Sequence, residues 1–193
     1  MMTDVSKTQT GLRNEYPRPQ FQRKEWLSLN GEWEFGFDDL GIGEDERWYL
    51  GDVHGPLTRK IVVPFTFQSK LSGIDDPSFH DVVWYRRTFE IPQEWDGQRI
   101  VLHFGAVDYL AKVWVNGQMV AVHEGGHTPF QADITASLVA GSNTVVLRAE
   151  DFSRDVTLRA ASNIGLNNRP AFSTPARPAS GRVCGWSLCL PCI

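Results

Sequence analysis

The dipeptide Asn116-Gly117 constrains the fold of this chain more than any other feature. Asn and Gly are the residues that best accept positive φ at both central positions of a type I′ turn. The turn lies between two runs in which every second residue is apolar, Leu110–Val115 before it and residues 118–123 after it. Two alternating runs joined by such a dipeptide predict a β-hairpin.

Further alternating runs predict additional strands. Trp33, Phe35 and Phe37 alternate with polar or glycine positions, and residues 82–91, 98–104 and 143–149 repeat the period of two. Within residues 82–91, the alternation assigns Val83, Tyr85 and Arg87 to one face and Val82, Trp84, Arg86 and Phe89 to the other. Residues 61–64 read as a short edge segment because Pro64 cannot donate to a central ladder. Short runs separated by regular turn signals predict an all-β sandwich or barrel.

The segments between these runs read as loops. Residues 1–20 are polar, contain Pro17 and Pro19, and predict an irregular N-terminal arm. Residues 38–56 are rich in glycine and acidic side chains and predict a long ordered loop, and residues 70–81 predict another.

The residues that follow the hairpin give it a distinctive context. Gly125-Gly126, Thr128-Pro129 and Phe130 lead into residues 132–135, in an order that generic hairpins lack. With residues 29–35, 63–68 and 83–89, this order resembles the N-terminal jelly-roll sugar-binding domain of glycoside hydrolase family 2, the β-galactosidases and β-glucuronidases. The likeness runs from about Phe21 to Asp151. It implies a jelly-roll β-sandwich over residues 21–157 that supports a catalytic barrel.

Composition excludes several classes of function. The formal charge is −4 and Lys and Arg are not clustered, which argues against a nucleic-acid partner. No run approaches the ~20 apolar residues that span a bilayer, and the N-terminus lacks the apolar core of a signal peptide. We therefore expect no membrane partner and a cytoplasmic location.

No catalytic residue is assigned within this chain. Retaining glycosidases need two carboxylates about 5 Å apart across the scissile bond. The resemblance implies that both are glutamates of a barrel that the 193 residues do not include, so we expect this chain to be inactive alone and to need no cofactor. Glu124, between His123 and His127, is interpreted as part of a loop-shaping cluster.

Three residues are candidates for substrate binding. The resemblance implies that an acidic residue after the last strand, here Asp151, reaches the neighbouring barrel and accepts hydrogen bonds from sugar hydroxyls. It also implies a polar contact from the loop 75–81, for which His80 and Asp81 are the candidates. The partner would be a carbohydrate of the β-galactoside or β-glucuronide type, bound in the full enzyme together with its immunoglobulin-like and barrel domains. A solvated charge at a strand end is the alternative for Asp151.

Aromatic and basic side chains divide into core and surface candidates. Aromatics on alternating strands are expected in the core; these are Trp84, Trp114, Phe104 and Phe89. Four aromatics in predicted loops are candidates for sugar contact, namely Trp48, Tyr49, Phe67 and Phe79. Arg86 and Arg87 are interpreted as a structural pair on an exposed strand face.

The last part of the chain differs in character from the rest. Residues 159–193 contain no Asp, Glu or Lys, yet they contain all three cysteines. If the third base of each codon is read with the first two of the next, the segment permits a peptide ending G-I-W-Q-S-V-W-L-E-P-V. The resembled family carries such a segment after its first domain. We therefore expect residues 158–193 to be a non-native tail produced by a one-base slip near Thr157 or Leu158.

Cys184, Cys189 and Cys192 have short spacings that also occur in zinc sites. A fourth ligand and a second pair are missing, and an out-of-frame origin makes the cysteines meaningless, so no metal site is expected.

Three functional hypotheses follow. The first is a non-catalytic accessory domain of a family 2 glycosidase. The second is a free-standing carbohydrate-binding module, because the jelly-roll scaffold also serves that purpose. The third is an inactive β-sandwich fragment whose barrel-facing patch promotes association.

Overall fold

The computed structural model describes residues 25–51 and 57–151. The expected arm over residues 1–20 and the expected tail over residues 158–193, with its three cysteines, lie outside the described residues. In the part of the chain that is described, no helix is long and apolar enough to cross a membrane.

Eight strands form two antiparallel sheets within the described residues. They are β1 (Gly31–Phe37), β2 (Arg59–Val63), β3 (Val82–Glu90), β4 (Val101–Phe104), β5 (Leu110–Val115), β6 (Gln118–Glu124), β7 (Phe130–Asp133) and β8 (Ser142–Glu150). The larger sheet has the order β2-β1-β3-β8-β5-β6, and β4 pairs with β7 in the smaller one. The elements between strands are short 3₁₀ turns at Trp48–Leu50, Lys70–Ser72, Gln93–Trp95 and Thr135–Ser137. The architecture is the expected jelly-roll β-sandwich.

The principal core lies between the two sheets. Alternation along each strand sends every second side chain inward, so β1 contributes Trp33 and Phe35, β3 contributes Tyr85, and β4 contributes Leu102 and Phe104. All five are at most 1% exposed. Each such side chain contributes roughly 1.5–3 kcal/mol of apolar burial, which makes this layer the main source of stability.

A second apolar layer covers the outer face of the larger sheet. The loop 38–51 folds over this face and buries Trp48 against Trp84, with ring centroids 5.6 Å apart. Tyr49 stacks on Trp114 at 5.3 Å. Trp48 is 4% exposed, so it is a packing residue and its expected role in sugar contact is wrong. Tyr49 is only partly buried in the same layer.

Asp38 holds this loop in place. Its carboxylate accepts hydrogen bonds from the backbone N–H groups of Ile42 (2.9 Å) and Gly43 (3.0 Å) and from the indole Nε1 of Trp84 (3.0 Å). Asp38 is 2% exposed. A buried carboxylate with three donors is the arrangement that burial of a charge requires.

The hairpin prediction is confirmed. Asn116 and Gly117 have φ values of 50° and 78°, between β5 and β6. Residues 61–64 were expected at a sheet edge, and β2 is an edge strand of the larger sheet.

Three details of the strand assignment are wrong. Phe89 packs in the principal core with Val83 and Tyr85, since odd-numbered positions of β3 share one face. The strand expected over 98–104 begins only at Val101, and β7 was not expected as a strand.

Arg86 and Arg87 do not form an exposed pair. They point to opposite faces of β3 and both are half-buried. Arg86 pairs with Glu34 and donates to the carbonyl oxygen of Gly51 at 2.9 Å. Arg87 donates to the carbonyl oxygen of Leu29 at 2.7 Å, so each guanidinium ties a different segment to the strand.

Candidate functional site

Three aspartates lie at one end of the larger sheet. β3 begins, β8 ends and β5 begins at this end, because the three strands are antiparallel neighbours. Asp81 directly precedes β3, Asp151 directly follows β8, and Asp108 lies two residues before β5. The backbone N–H of Asp151 donates to the carbonyl oxygen of Asp81 at 2.8 Å, which joins two of the segments.

The three predicted site residues line one small cavity at this end. Its walls are formed by Phe67, Gln68, Phe79, His80, Asp81, Val83, Asp108, Ala149 and Asp151. The cavity volume is about 30 Å³, which holds about one water molecule. Sites that enclose a whole small ligand are roughly ten times larger. The cavity can therefore accept a single hydroxyl-sized substituent, and a sugar ring would lie outside it.

His80 is held on three sides. Its Nδ1 lies 2.6 Å from Asp39 Oδ1 and its Nε2 lies 2.9 Å from Ser78 Oγ. The imidazole also stacks on Phe37, with ring centroids 3.5 Å apart. Both ring nitrogens are thus engaged within the domain. His80 fixes the loop that carries Phe79 and Asp81 to the end of β1.

Asp76 completes this loop. Its carboxylate accepts hydrogen bonds from the side chain and the backbone of Ser78, and these bonds, led by the side-chain one, lower the pKa of Asp76. The guanidinium of Arg59 lies 3.9 Å away. A turn closed on its own carboxylate in this way orders a loop that is otherwise exposed.

Asp108 is a cavity residue that sequence reasoning missed. Burial raises the pKa of its carboxyl, and the charge of His127 opposes that shift. A Cβ atom on Gly126 would overlap Asp108 Oδ1. The Gly125-Gly126 pair was visible in the sequence. The close approach of this carboxylate explains Gly126, and the φ of +129° explains Gly125.

Two buried acceptors face the same region. Asp81 Oδ1 and Gln68 Oε1 receive no hydrogen bond from any described residue. Both residues line the cavity. Buried polar atoms are normally paired with protein or water, so a donor outside the described residues, either a water molecule or a ligand group, is expected beside these atoms.

The other sequence candidates occupy structural positions. Phe67 is 6% exposed within the principal core, whereas Phe79 is 38% exposed at the cavity rim. Phe79 therefore remains a candidate for sugar contact, and Phe67 is a packing residue that also lines the cavity. His123 Nε2 lies 2.9 Å from Thr128 Oγ1, and Glu124 accepts a hydrogen bond from the hydroxyl of Tyr109. These contacts shape the loop after β6.

A metal centre is not built into the described part of the chain. Among residues 25–51 and 57–151, no group of three or more His, Cys, Asp or Glu side chains could hold an ion.

The fold and the cavity together define a class of protein: a jelly-roll β-sandwich with a small cavity at one sheet end, to which three aspartates contribute. Residues 26–160 match the family model described as "Glycosyl hydrolases family 2, sugar binding domain". The chain belongs to glycoside hydrolase family 2, through its sugar-binding domain.

Relatives and solved structures agree with this assignment. β-Glucuronidase from Felis catus is 41% identical over 136 residues, which are 65% of this chain and 20% of that protein. The Paenibacillus borealis β-glucuronidase is 38% identical over 129 residues, 65% of this chain and 21% of that protein. The chain thus spans about a fifth of the length of the curated relatives it matches.

Among solved structures, the Ruminococcus gnavus β-glucuronidase in complex with C6-substituted uronic isofagomine superposes with a TM-score of 0.60 at 31% identity. The match covers 71% of this chain and 23% of that one. Lactobacillus rhamnosus β-glucuronidase gives a TM-score of 0.58 at 34% identity, over 66% of this chain and 21% of that one. These matches are with the N-terminal part of multidomain enzymes.

Proposed function

We propose that the cavity forms one wall of a glycoside-binding site that other domains of the same enzyme complete. Asp81 and Asp151 accept hydrogen bonds from sugar hydroxyls, and His80 holds Asp81 in place. The observation that carries this proposal is that residues 70 positions apart in the sequence line a cavity with room for one substituent and not for a ring. Carboxylates suit the task because charge-assisted bonds to hydroxyls are short and strong.

The parent enzyme would be a retaining β-glycosidase, with its catalytic glutamates on a barrel domain. The names of the matched relatives support a β-glucuronide as its substrate, and a β-galactoside is the alternative. An immunoglobulin-like domain and the barrel are the partners. The expected cytoplasmic location remains a prediction.

The wall function is tested by titrating the full 193-residue chain with methyl β-glucoside while recording amide resonances. We expect weak, millimolar binding, with shifts confined to residues 79–81, 108 and 151. Asp151→Ala should abolish these shifts, whereas Asp45→Ala, at an exposed position in the loop 38–51, should not. A chromogenic β-glycoside should not be turned over. Absence of local shifts, or turnover by the chain, would contradict the proposal.

The exposed rim position of Phe79 favours a second candidate, a free-standing carbohydrate-binding module. Such a module would stack the sugar face on the ring, as aromatics do in carbohydrate sites. Isothermal titration calorimetry separates the two candidate functions, because sub-millimolar affinity of the isolated chain for a glycoside would favour the free-standing module. In that case Phe79→Ala should weaken binding about tenfold, the equivalent of ~1.4 kcal/mol.

A further inference from the structure

We propose that Asp108 makes this wall selective for a neutral sugar hydroxyl and excludes an anionic substituent such as a uronate carboxylate. The inference rests on the proposed function, since it names the chemical group that the same wall accepts. Three observations carry it: the charge of the lining, the unpaired acceptors, and the way Asp108 is held.

Carboxyl groups dominate the charge of the cavity lining. Asp81, Asp108 and Asp151 contribute three of them, and neither Lys nor Arg is among the lining residues. The lining histidine, His80, has both ring nitrogens engaged by Asp39 and Ser78. A ligand carboxylate placed here would face like charges across a partly desolvated space, where their repulsion is stronger than in bulk water. A hydroxyl carries no charge and meets no such repulsion.

The unpaired acceptors point to the same ligand chemistry. Asp81 Oδ1 and Gln68 Oε1 are buried and accept no hydrogen bond from the described residues. A sugar hydroxyl supplies an O–H donor to such atoms, whereas an ionised carboxylate has only acceptors. Gln68 Oε1 is not one of the carboxyl oxygens, so it is an observation independent of the acidic lining that calls for a donor.

Asp108 lies in close contact with Gly126. A Cβ atom at that glycine would overlap Asp108 Oδ1, so the carboxylate occupies space that only glycine leaves open. The burial that raises the pKa of Asp108 also removes water that would otherwise screen it. The charge of His127 acts to lower the pKa of Asp108. His127 is not among the residues that line the cavity, so it does not offer a cation to the ligand.

The proposal constrains the orientation in which a uronide substrate can bind. Its ring would have to turn the carboxylate away from this wall, with a hydroxyl entering the cavity. Cationic groups that recognise the carboxylate would then belong to the completing domain.

The experiment compares methyl β-glucoside with methyl β-glucuronide, which differ only at C6. Both are titrated into the full chain at pH 7 and low ionic strength, and amide shifts at residues 81, 108 and 151 give each dissociation constant. We expect the glucuronide to bind at least tenfold more weakly. Asp108→Asn should reduce that ratio several-fold, and Asp45→Asn, which removes one exposed charge that does not line the cavity, should leave it unchanged.

Salt provides a test that needs no variant. Raising NaCl from about 0.01 M to about 1 M shortens the Debye length from roughly 30 Å to 3 Å, so the ratio in the unaltered chain should fall toward one. Equal affinities at low salt, or a ratio unaffected by both Asp108→Asn and salt, would overturn the selectivity and leave the sugar-binding wall intact. Absence of shifts with either sugar would overturn both proposals.

Discussion

Asp38 shows how much a single buried carboxylate contributes to this domain. Its three donors come from the backbone of the loop 38–51 and from Trp84. Asp38→Ala would leave these donors buried without an acceptor, at about 1–3 kcal/mol each. We expect a loss of at least ~3 kcal/mol in the free energy of unfolding, measured by urea denaturation. Asp45→Ala, its exposed control, should change stability by less than ~0.5 kcal/mol; equal effects would contradict this role.

Gly43 tests the packing of the same loop. A Cβ atom there would lie 2.7 Å from ring atoms of both Trp48 and Trp84. Gly43→Ala should therefore destabilise the domain by ~1–3 kcal/mol through overpacking and alter the near-ultraviolet circular dichroism of the tryptophans. Gly41→Ala is the control for the added methyl group itself. Its φ of +67° imposes backbone strain, but no atom lies within 4 Å of the added Cβ, so overpacking is absent. An unchanged tryptophan signal in Gly43→Ala would show that the layer is loosely packed.

At the residue scale, the sequence predicted the features that depend only on neighbouring residues. Asn116-Gly117 was readable because the turn depends on the φ preferences of two adjacent residues. Asp81 and Asp151 were found through resemblance, whereas Asp108 was not found by either route. Its place in the cavity depends on β5 pairing with β8, a contact between segments about 40 positions apart that no local pattern encodes.

The smaller sheet is joined at one end by a charged pair. Arg99 Nε donates to Asp133 at 2.7 Å, and Thr135 donates to the same carboxylate from its hydroxyl and its backbone. These bonds, led by that of the Thr135 side chain, lower the pKa of Asp133 from 3.8 to about 2. A depressed carboxyl pKa stabilises the fold above the unfolded pKa, and this contribution is lost as pH falls toward the folded value.

The prediction is a loss of stability between about pH 4 and about pH 2 that depends on Asp133. Asp133→Asn should be less stable than the unaltered chain at pH 6, and the difference should shrink as the pH is lowered through this window. Thermal unfolding at several pH values measures it. Because the pair is exposed, the effect should be small and should weaken with salt. A difference independent of pH would exclude the carboxylate as its source.

At the element scale, long alternating runs were predictable and short ones were not. β3 and β8 are nine residues each and carry clear period-two patterns. β7 has only four residues after Thr128-Pro129, so its sequence resembles a turn. It becomes a strand because it pairs with β4 and because Phe130 stacks on Phe104 at 4.5 Å. Tertiary contacts thus override a weak local pattern.

The packing of aromatic side chains in the loop 38–51 also depends on tertiary contacts that the sequence pattern does not show. Glycines and acidic residues marked it as a loop, and loops usually expose their aromatics. Here Asp38 ties the loop to Trp84, and the salt bridge from Lys112 to Glu44 (2.6 Å) fastens it to β5. These contacts convert Trp48 and Tyr49 into a second apolar layer, which loop composition alone does not reveal.

At the scale of the whole molecule, the described residues form a two-sheet sandwich, and the chain spans about a fifth of the length of the relatives it matches. The family match ends at residue 160, within three positions of Thr157, where we placed the one-base slip. All 23 acidic residues precede position 159. An abrupt change in composition at the end of a family match is what a shift of reading frame produces.

The final prediction concerns the coding DNA across codons 157 and 158. Restoring one base there should open a long frame that begins with the alternative peptide, in which the Cys184-Gly185 codons encode Trp, and continues into an immunoglobulin-like domain and a barrel. Sequencing this region and the bases downstream decides it. The physical consequence is testable as well: the frame-restored protein should hydrolyse a chromogenic β-glucuronide, and Asp108→Asn in that protein should alter KM more than kcat, because a wall residue contributes binding and not chemistry. If no single-base change opens such a frame, the tail is genuine sequence and the proposed frameshift is wrong.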